Sequence, residues 1–197
     1  MNTIKEQKIA VRRDILSKRK TLDEYEKNNM DSKICRALLS LATYRYCDTV
    51  LFYYPLGGEV DVIPAIQKAW EDKKKVYLPR CSKHDKGVMD FYLVTSFEQL
   101  EKGSFGVMEP LGKTEKYNKN IKNSNAICIM PALSYDRKGY RLGYGRGYYD
   151  RYLQGFSGMK IGIAYSQFVS KDVPHGYFDV RADIIITEKG AVTVSEK

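Results

Sequence analysis

The sequence predicts an α/β fold, a three-layer sandwich with a mostly parallel central sheet flanked by helices. Three observations carry that reading. The runs "AICIMP" (126–131), "KIGIAY" (160–165) and "DIIITE" (183–188) are short and apolar, as in strands buried on both faces. Such runs alternate with helical patterns, the order that builds a parallel sheet with helical crossovers. The 197 residues, 43% apolar and 29% charged, are enough for one domain over 1–197 with a core that needs no staples.

Residues 3–20 read as a basic amphipathic helix in which Ile4, Ile9, Val11, Ile15 and Leu16 roughly follow a helical period. "TLDEYEK" is a break and restart, with Asp23 and Glu26, or in a rival register Thr21 and Glu24, as a capping box for a second helix over 24–42. "TVLFYYP" is a strand ending at Pro55, "GGEVDV" turns into a helix over 61–72, and "KKVYLPR" and "VMDFYLV" are further strands. "GKTEKYNKNIKNSN" (112–125) reads as an exposed polar loop, and "AVTVS" closes the chain with one more strand. In parallel sheets ligands sit beyond the carboxyl ends of the strands, which directs attention to "PLGGE" after the first strand and to the segment after "AICIMP".

The formal charge of +9 admits two partners, a nucleic acid or a polyanionic small molecule. No zinc-finger or RRM signature is present, so no nucleic-acid partner is expected. Cys35, Cys47, Cys81 and Cys128 form no Cys-x-x-Cys pair, and His84 and His175 lack zinc spacing. Reduced thiols, no signal peptide and no membrane span point to a cytoplasmic protein. "GVMEPLGKT" imitates a P-loop, but the required first glycine is Val107 and no strong strand leads in.

"RLGYGRGYYDRYL" (141–153) concentrates the chemistry. Gly143, Gly145 and Gly147 allow backbone to approach a ligand and turn N–H groups toward it. Arg141 and Arg146 add forked donors for phosphate. A helix beginning near Gly147 would offer its amino end to an anion, with Asp150 in the first turn as a magnesium ligand and Tyr148 and Tyr152 walling the site. Lys8 and Arg12, four residues apart on one helix face, repel each other unless an anion binds between them. Glu59, beyond a strand end, is a carboxylate able to accept paired N–H groups from an amino-pyrimidinone ring.

"MPALSYDRKGYRLGYGRGYYDRYL" resembles the signature region of the 5-formyltetrahydrofolate cyclo-ligase family. "KIAVRR", "FYYPLGGEVD", "LPR", "FGVMEP" and "DVRADIIITE" resemble its other segments in the expected order. The resemblance implies a scaffold of the NagB/RpiA/CoA-transferase type and a monomer. It also implies conversion of 5-formyltetrahydrofolate to 5,10-methenyltetrahydrofolate with ATP and magnesium, releasing ADP and phosphate. By position, Lys8, Arg12, Arg141, Leu142, Gly143, Tyr144, Gly145, Arg146, Gly147, Tyr148 and Tyr149 would hold ATP. Tyr54, Glu59 and the run Tyr144 to Tyr148 would contact folate, Asp150 and Asp179 would bind magnesium, and Arg146 and Tyr148 would be catalytic. Two rivals remain: a basic RNA-binding module, and a sugar-phosphate isomerase or acyl-transferase that turns over without ATP.

Overall fold

The computed structural model describes residues 3–121 and 125–194. Two helices open the chain, α1 (Ile4–Arg19) and α2 (Glu24–Ser40), followed by the short α3 (Ala42–Tyr46). Then come β1 (Thr49–Leu51), α4 (Ile63–Glu71), β2 (Lys75–Cys81) and β3 (Met89–Leu93). A small ribbon, β4 (Leu100–Lys102) with β5 (Met108–Pro110), precedes β6 (Ala126–Pro131). The second half holds β7 (Ser134–Asp136), β8 (Arg141–Leu142), α5 (Tyr148–Leu153), β9 (Met159–Ile163), β10 (Val169–Ser170), β11 (Ile184–Thr187) and β12 (Gly190–Thr193).

Seven strands form the main sheet in the order β12-β11-β9-β6-β1-β2-β3. Neighbours from β11 to β2 are parallel, and the edges β12 and β3 are antiparallel. Side chains of a strand alternate between the two faces of a sheet, and the core divides accordingly. Val50, Val76, Ile127, Ile129, Ile161 and Ile184 face α2 and α4 through Ile34, Leu38, Ala65 and Ile66. Leu51, Tyr77, Cys128, Met130 and Ile185 face the other way, toward Tyr152, Leu153 and Phe156. The apolar runs are therefore central strands, as their composition required. A second, three-stranded sheet in the order β10-β7-β8 carries Arg141 and Leu142.

Several expectations change. The first helix docks through only part of its apolar stripe, Ile15 and Val11. Ile4, Ile9 and Leu16 are 52%, 47% and 37% exposed, whereas the buried residues are Ile15 and Arg19. Asp23 caps α2, its side chain accepting the Glu26 N–H, and the Thr21 register is not used. A full capping box occurs instead at Thr3 and Glu6. The 112–125 segment is not wholly an exposed loop: Tyr117 is buried against Tyr77, and residues 122–124 of that expectation lie outside the described residues, as does Ser195 of the last strand. Lys113 and Thr114 open no helix; the Thr114 hydroxyl donates to the Leu93 carbonyl. All four cysteines are free thiols, and no helix among the described residues is long and apolar enough to cross a membrane.

Gly139, in the turn between β7 and β8, sets the position of the glycine-rich segment. Its φ of +88° is left-handed, and an added Cβ would lie 2.6 Å from the Ala182 carbonyl oxygen. Strain of both kinds acts at once, so Gly139→Ala is expected to destabilise the fold by about 1–3 kcal/mol. Urea unfolding of the two proteins measures this, and equal midpoints would remove the constraint.

Candidate active site

The carboxyl ends of β1, β2 and β6 open into one cavity of about 450 Å³. Its wall includes Tyr53 and Tyr54 after β1, Cys81 at the end of β2 and Pro131 at the end of β6. The segment from Arg141 to Asp150 crosses it, Lys8 and Arg12 reach it from α1, and Asp179 closes it. Every residue expected to bind ATP, folate or metal lines this cavity, including Glu59. Four cations (Lys8, Arg12, Arg141, Arg146) and four carboxylates (Glu59, Glu109, Asp150, Asp179) face a common space.

Lys8, Arg12, Arg141 and the four carboxylates are each held by a specific partner. Lys8 Nζ lies 2.7 Å from Asp179 Oδ2, which also accepts the Gly176 N–H at 2.7 Å. Arg12 Nε donates to the Gly143 carbonyl at 2.9 Å, and a Cβ on Gly145 would sit 3.1 Å from the Arg12 guanidinium carbon. Gly145 is needed there for close approach and for its φ of +95°. The expected repulsion between Lys8 and Arg12 is thus relieved by protein groups, Asp179 and a carbonyl, without an anion between them. Burial lowers the pKa of the Arg12 guanidinium, and the charge of Asp179 opposes that shift.

Arg141 Nη2 pairs with Asp150 Oδ1 at 2.8 Å, and Nη1 donates to the Val180 carbonyl at 3.1 Å. The Val180 N–H donates to the same Asp150 oxygen. Arg141 therefore fixes Asp150 and ties β8 to the 179–180 segment. Burial pushes the Asp179 carboxyl up, but Lys8, the Gly176 N–H and Arg141 outweigh it and hold it below the ordinary range. The contacts to Asp150 fall on Oδ1 and those to Asp179 on Oδ2. A second oxygen of each carboxylate is thereby oriented but not consumed. Hard oxygen donors of this kind fit magnesium.

Glu59 is buried, and burial raises its pKa. The Leu56 N–H at 2.9 Å, the charge of Arg19 and the Tyr144 hydroxyl oppose that rise. Burial beside Glu59 pushes the Tyr144 phenol up to about 12, which keeps it a hydroxyl donor. Tyr54 lines the same wall and meets Phe97 edge-on. Arg146 is exposed between Gly145 and Gly147, whose left-handed φ values turn the loop around it.

Two expectations at this site need correction. The helix after Gly147 is only six residues long, so its dipole would add little to any anion affinity. Tyr152 does not wall the site: it is buried among Phe91 and Cys128 beneath it, and Tyr149 lines the cavity instead. Sequence reasoning missed Arg19, Cys81 and Glu109. Arg19 falls on one α1 face with Lys8, Arg12 and Ile15, at steps of four, three and four residues, and that spacing was readable. Arg19 donates through Nη2 to the Ala132 and Leu133 carbonyls beyond β6. One further group of metal-type ligands, Asp136, Asp172 and His175, lies away from the cavity. Asp136 is already taken by the N–H groups of Lys138, Tyr140 and Val173, and Lys138 pairs with Asp172.

Residues 4–188 match the sequence model of the 5-formyltetrahydrofolate cyclo-ligase family. The chain belongs to that family. A 5-formyltetrahydrofolate cyclo-ligase of Haemophilus influenzae is 30% identical over 183 residues, 91% of this chain and 96% of that protein. One from Mycoplasma pneumoniae is 28% identical over 92% of this chain and 99% of its own. In three dimensions the chain is similar to the 5,10-methenyltetrahydrofolate synthetase of Aquifex aeolicus, with a TM-score of 0.81, 32% identity and 96% and 94% of the two chains covered. The synthetase of Mycoplasma pneumoniae superposes with a TM-score of 0.73 at 28% identity, covering 92% and 98%. Membership of the cyclo-ligase family makes the chain an enzyme of folate metabolism.

The Lys8–Asp179 pair has a pH signature. Because the folded Asp179 pKa is depressed, its contribution is complete above about pH 3.9, the unfolded value, and is lost as pH falls through the folded one. Urea midpoints between pH 5 and 3 should fall more steeply for the natural protein than for Asp179→Asn. Parallel curves would show that the pair does not stabilise the fold.

Proposed function

We propose that this chain converts 5-formyltetrahydrofolate to 5,10-methenyltetrahydrofolate, with ATP cleaved to ADP and phosphate. The observation that carries the reading is the gathering of a glycine-turned backbone, four cations, two metal-type carboxylates and a buried acceptor, Glu59, around one cavity. An N-formyl oxygen is a poor leaving group, and phosphorylation makes it a good one. The formyl oxygen attacks the γ-phosphorus, the bond to the bridging oxygen breaks, and ADP leaves with the electron pair. The product is an iminophosphate at N5. N10 then attacks the formyl carbon, loses its proton, and phosphate departs with the former formyl oxygen.

Such chemistry asks for alignment and charge neutralisation more than for acid–base groups. Arg146 and Arg12, with the Gly143–Gly147 amides, receive the phosphates. Arg141 and Lys8 hold Asp150 and Asp179 in place. Magnesium bound by those two carboxylates would supply charge neutralisation at the phosphate oxygens. Glu59 and Tyr54 orient the pterin ring, Glu59 accepting its donor edge. Tyr144, Tyr148 and Tyr149 enclose the reacting atoms and keep out water, which competes for phosphate. The sheet order supports a NagB/RpiA/CoA-transferase-like scaffold, working as a single-domain monomer over residues 1–197 in the cytoplasm.

The test mixes protein, Mg-ATP and 5-formyltetrahydrofolate and follows the near-ultraviolet absorbance of the methenyl product. Turnover only with ATP supports the reading, and its absence overturns it; salt-sensitive RNA binding without turnover would favour the basic RNA-binding module. Asp150→Asn separates metal binding from a structural role. Asn keeps the shape but leaves buried Arg141 without its ionic partner, so its unfolding midpoint is measured alongside; under folding conditions the variant should need far more magnesium for half-maximal rate and lose kcat by about 100-fold even at saturation. Superimposable magnesium curves for the two proteins would sink the metal assignment.

A further inference from the structure

The glycine-rich segment is fastened at its amino end by Arg12, through the Gly143 carbonyl. Its other end is fastened by a residue that has no part in the phosphoryl transfer. Arg151, on α5, is exposed and stands outside the cavity wall. Its guanidinium nevertheless joins two loops. Nη2 donates to the Arg146 carbonyl, and Nε donates to the Gly87 carbonyl at 2.7 Å. Gly87 lies in the turn between β2 and β3.

Both loops are shaped to admit that guanidinium. A Cβ on Gly87 would sit 2.3 Å from Arg151 Nη2, and one on Gly147 would sit 2.9 Å from Nη1. The two glycines have left-handed φ values of +84° and +67°. Residues distant in sequence thus make room for one side chain. The same guanidinium lies over the Tyr148 ring, its carbon 5.8 Å from the ring centre.

Peptide geometry gives this arrangement a direction. The C=O and N–H of a trans peptide point to opposite sides. The Arg146–Gly147 peptide is trans, and its carbonyl is turned to Arg151. The Gly147 N–H is therefore turned away from Arg151, in a stretch where Arg146 and Gly147 both line the cavity. A guanidinium is a rigid planar fork of donors, so one side chain can hold two carbonyls in a set relation.

We propose that Arg151 is a positioning residue for the Arg146–Gly147 peptide, bracing the glycine-rich loop against the β2–β3 turn. The kinetic part of this inference rests on the cyclo-ligase reading; the brace itself does not.

Amide NMR tests the brace without turnover. Gly87→Ala puts a methyl where the guanidinium lies. It should displace Arg151 and so move the Gly147 amide resonance, although residue 87 belongs to a different element. Arg151→Ala should move the Gly147 and Val88 resonances together. A Gly147 resonance unmoved by Gly87→Ala would overturn the brace. In the ATP-dependent assay, under conditions where urea unfolding shows each variant to be folded, Arg151→Ala should lower kcat at least about threefold. The KM for 5-formyltetrahydrofolate should change little. Arg151→Lys keeps the charge but lacks the fork, so it should lose nearly as much. Full kcat in Arg151→Lys would show that charge alone suffices and overturn the inference. The Gly87→Ala/Arg151→Ala double variant should be no slower than the slower single one. A multiplicative loss would mean that the two residues act by separate routes, and would overturn it as well. A natural protein with no ATP-dependent product would instead defeat the cyclo-ligase reading, with the amide resonances still deciding whether the brace exists.

Discussion

The mouth of the cavity depends on how α1 is fastened to the sheet, and that fastening is cationic. Lys8, Arg12 and Arg19 lie on one helix face with Ile15 between them, and each is anchored to a different element: Asp179, the Gly143 carbonyl, and the Ala132 and Leu133 carbonyls. Hydrogen bonds to charged groups contribute about 1.5–3 kcal/mol each, as much as complete burial of one Ile15-sized side chain. With two apolar anchors, buried Ile15 and half-buried Val11, and three cationic ones, charge contributes most of the docking. The same contacts bring Lys8 and Arg12 to the cavity wall, so fastening the helix and completing the site are a single event.

The cavity then balances four positive against four negative groups, in a chain whose overall charge is +9. Pairing is selective. Arg141 and Lys8 are committed to Asp150 and Asp179 and hold those two carboxylates at the cavity wall, whereas Arg146 stands exposed between two left-handed glycines. The arginines flanking the glycines are thus not equivalent. One builds the site from within β8, and the other is carried on a loop between two left-handed glycines. Glu59 sits at the other extreme, buried and supported by Tyr144 and Arg19. Charge is spread along the cavity in a way that suits a molecule with polyanionic and neutral, donor-bearing parts.

Much of the architecture was legible because strands buried on both faces leave unbroken apolar runs, as at 126–131, and β6 coincides with that run. The site was legible for a different reason: alternate glycines with arginines have few purely structural uses, and the residues singled out there, Tyr152 excepted, line one cavity. What escaped was of two kinds. Apolar periodicity found only part of the buried face of α1, Ile15 and Val11, because the rule assumes that burial is hydrophobic, and Arg19 is buried with hydrogen bonds to strand-end carbonyls. Glu109 and Cys81 escaped because their place in the wall comes from an antiparallel ribbon, β4 with β5, that brings residues distant in sequence against β2. Tyr152 was misassigned because a six-residue helix turns one tyrosine to the cavity and the next one along that face to the core.

The central claim is that the cationic face of α1 completes the nucleotide half of the site. Calorimetric titration of Mg-ATP into the natural protein and into a Lys8→Ala/Arg12→Ala double variant tests it most directly, with unfolding midpoints confirming that both are folded. Loss of the Arg12 contact to the phosphates, and of the Lys8 pair that holds Asp179 in place, predicts at least about tenfold weaker binding in the double variant. An unchanged Kd in a folded double variant would contradict the account, because α1 would then be attached to the site without being part of it.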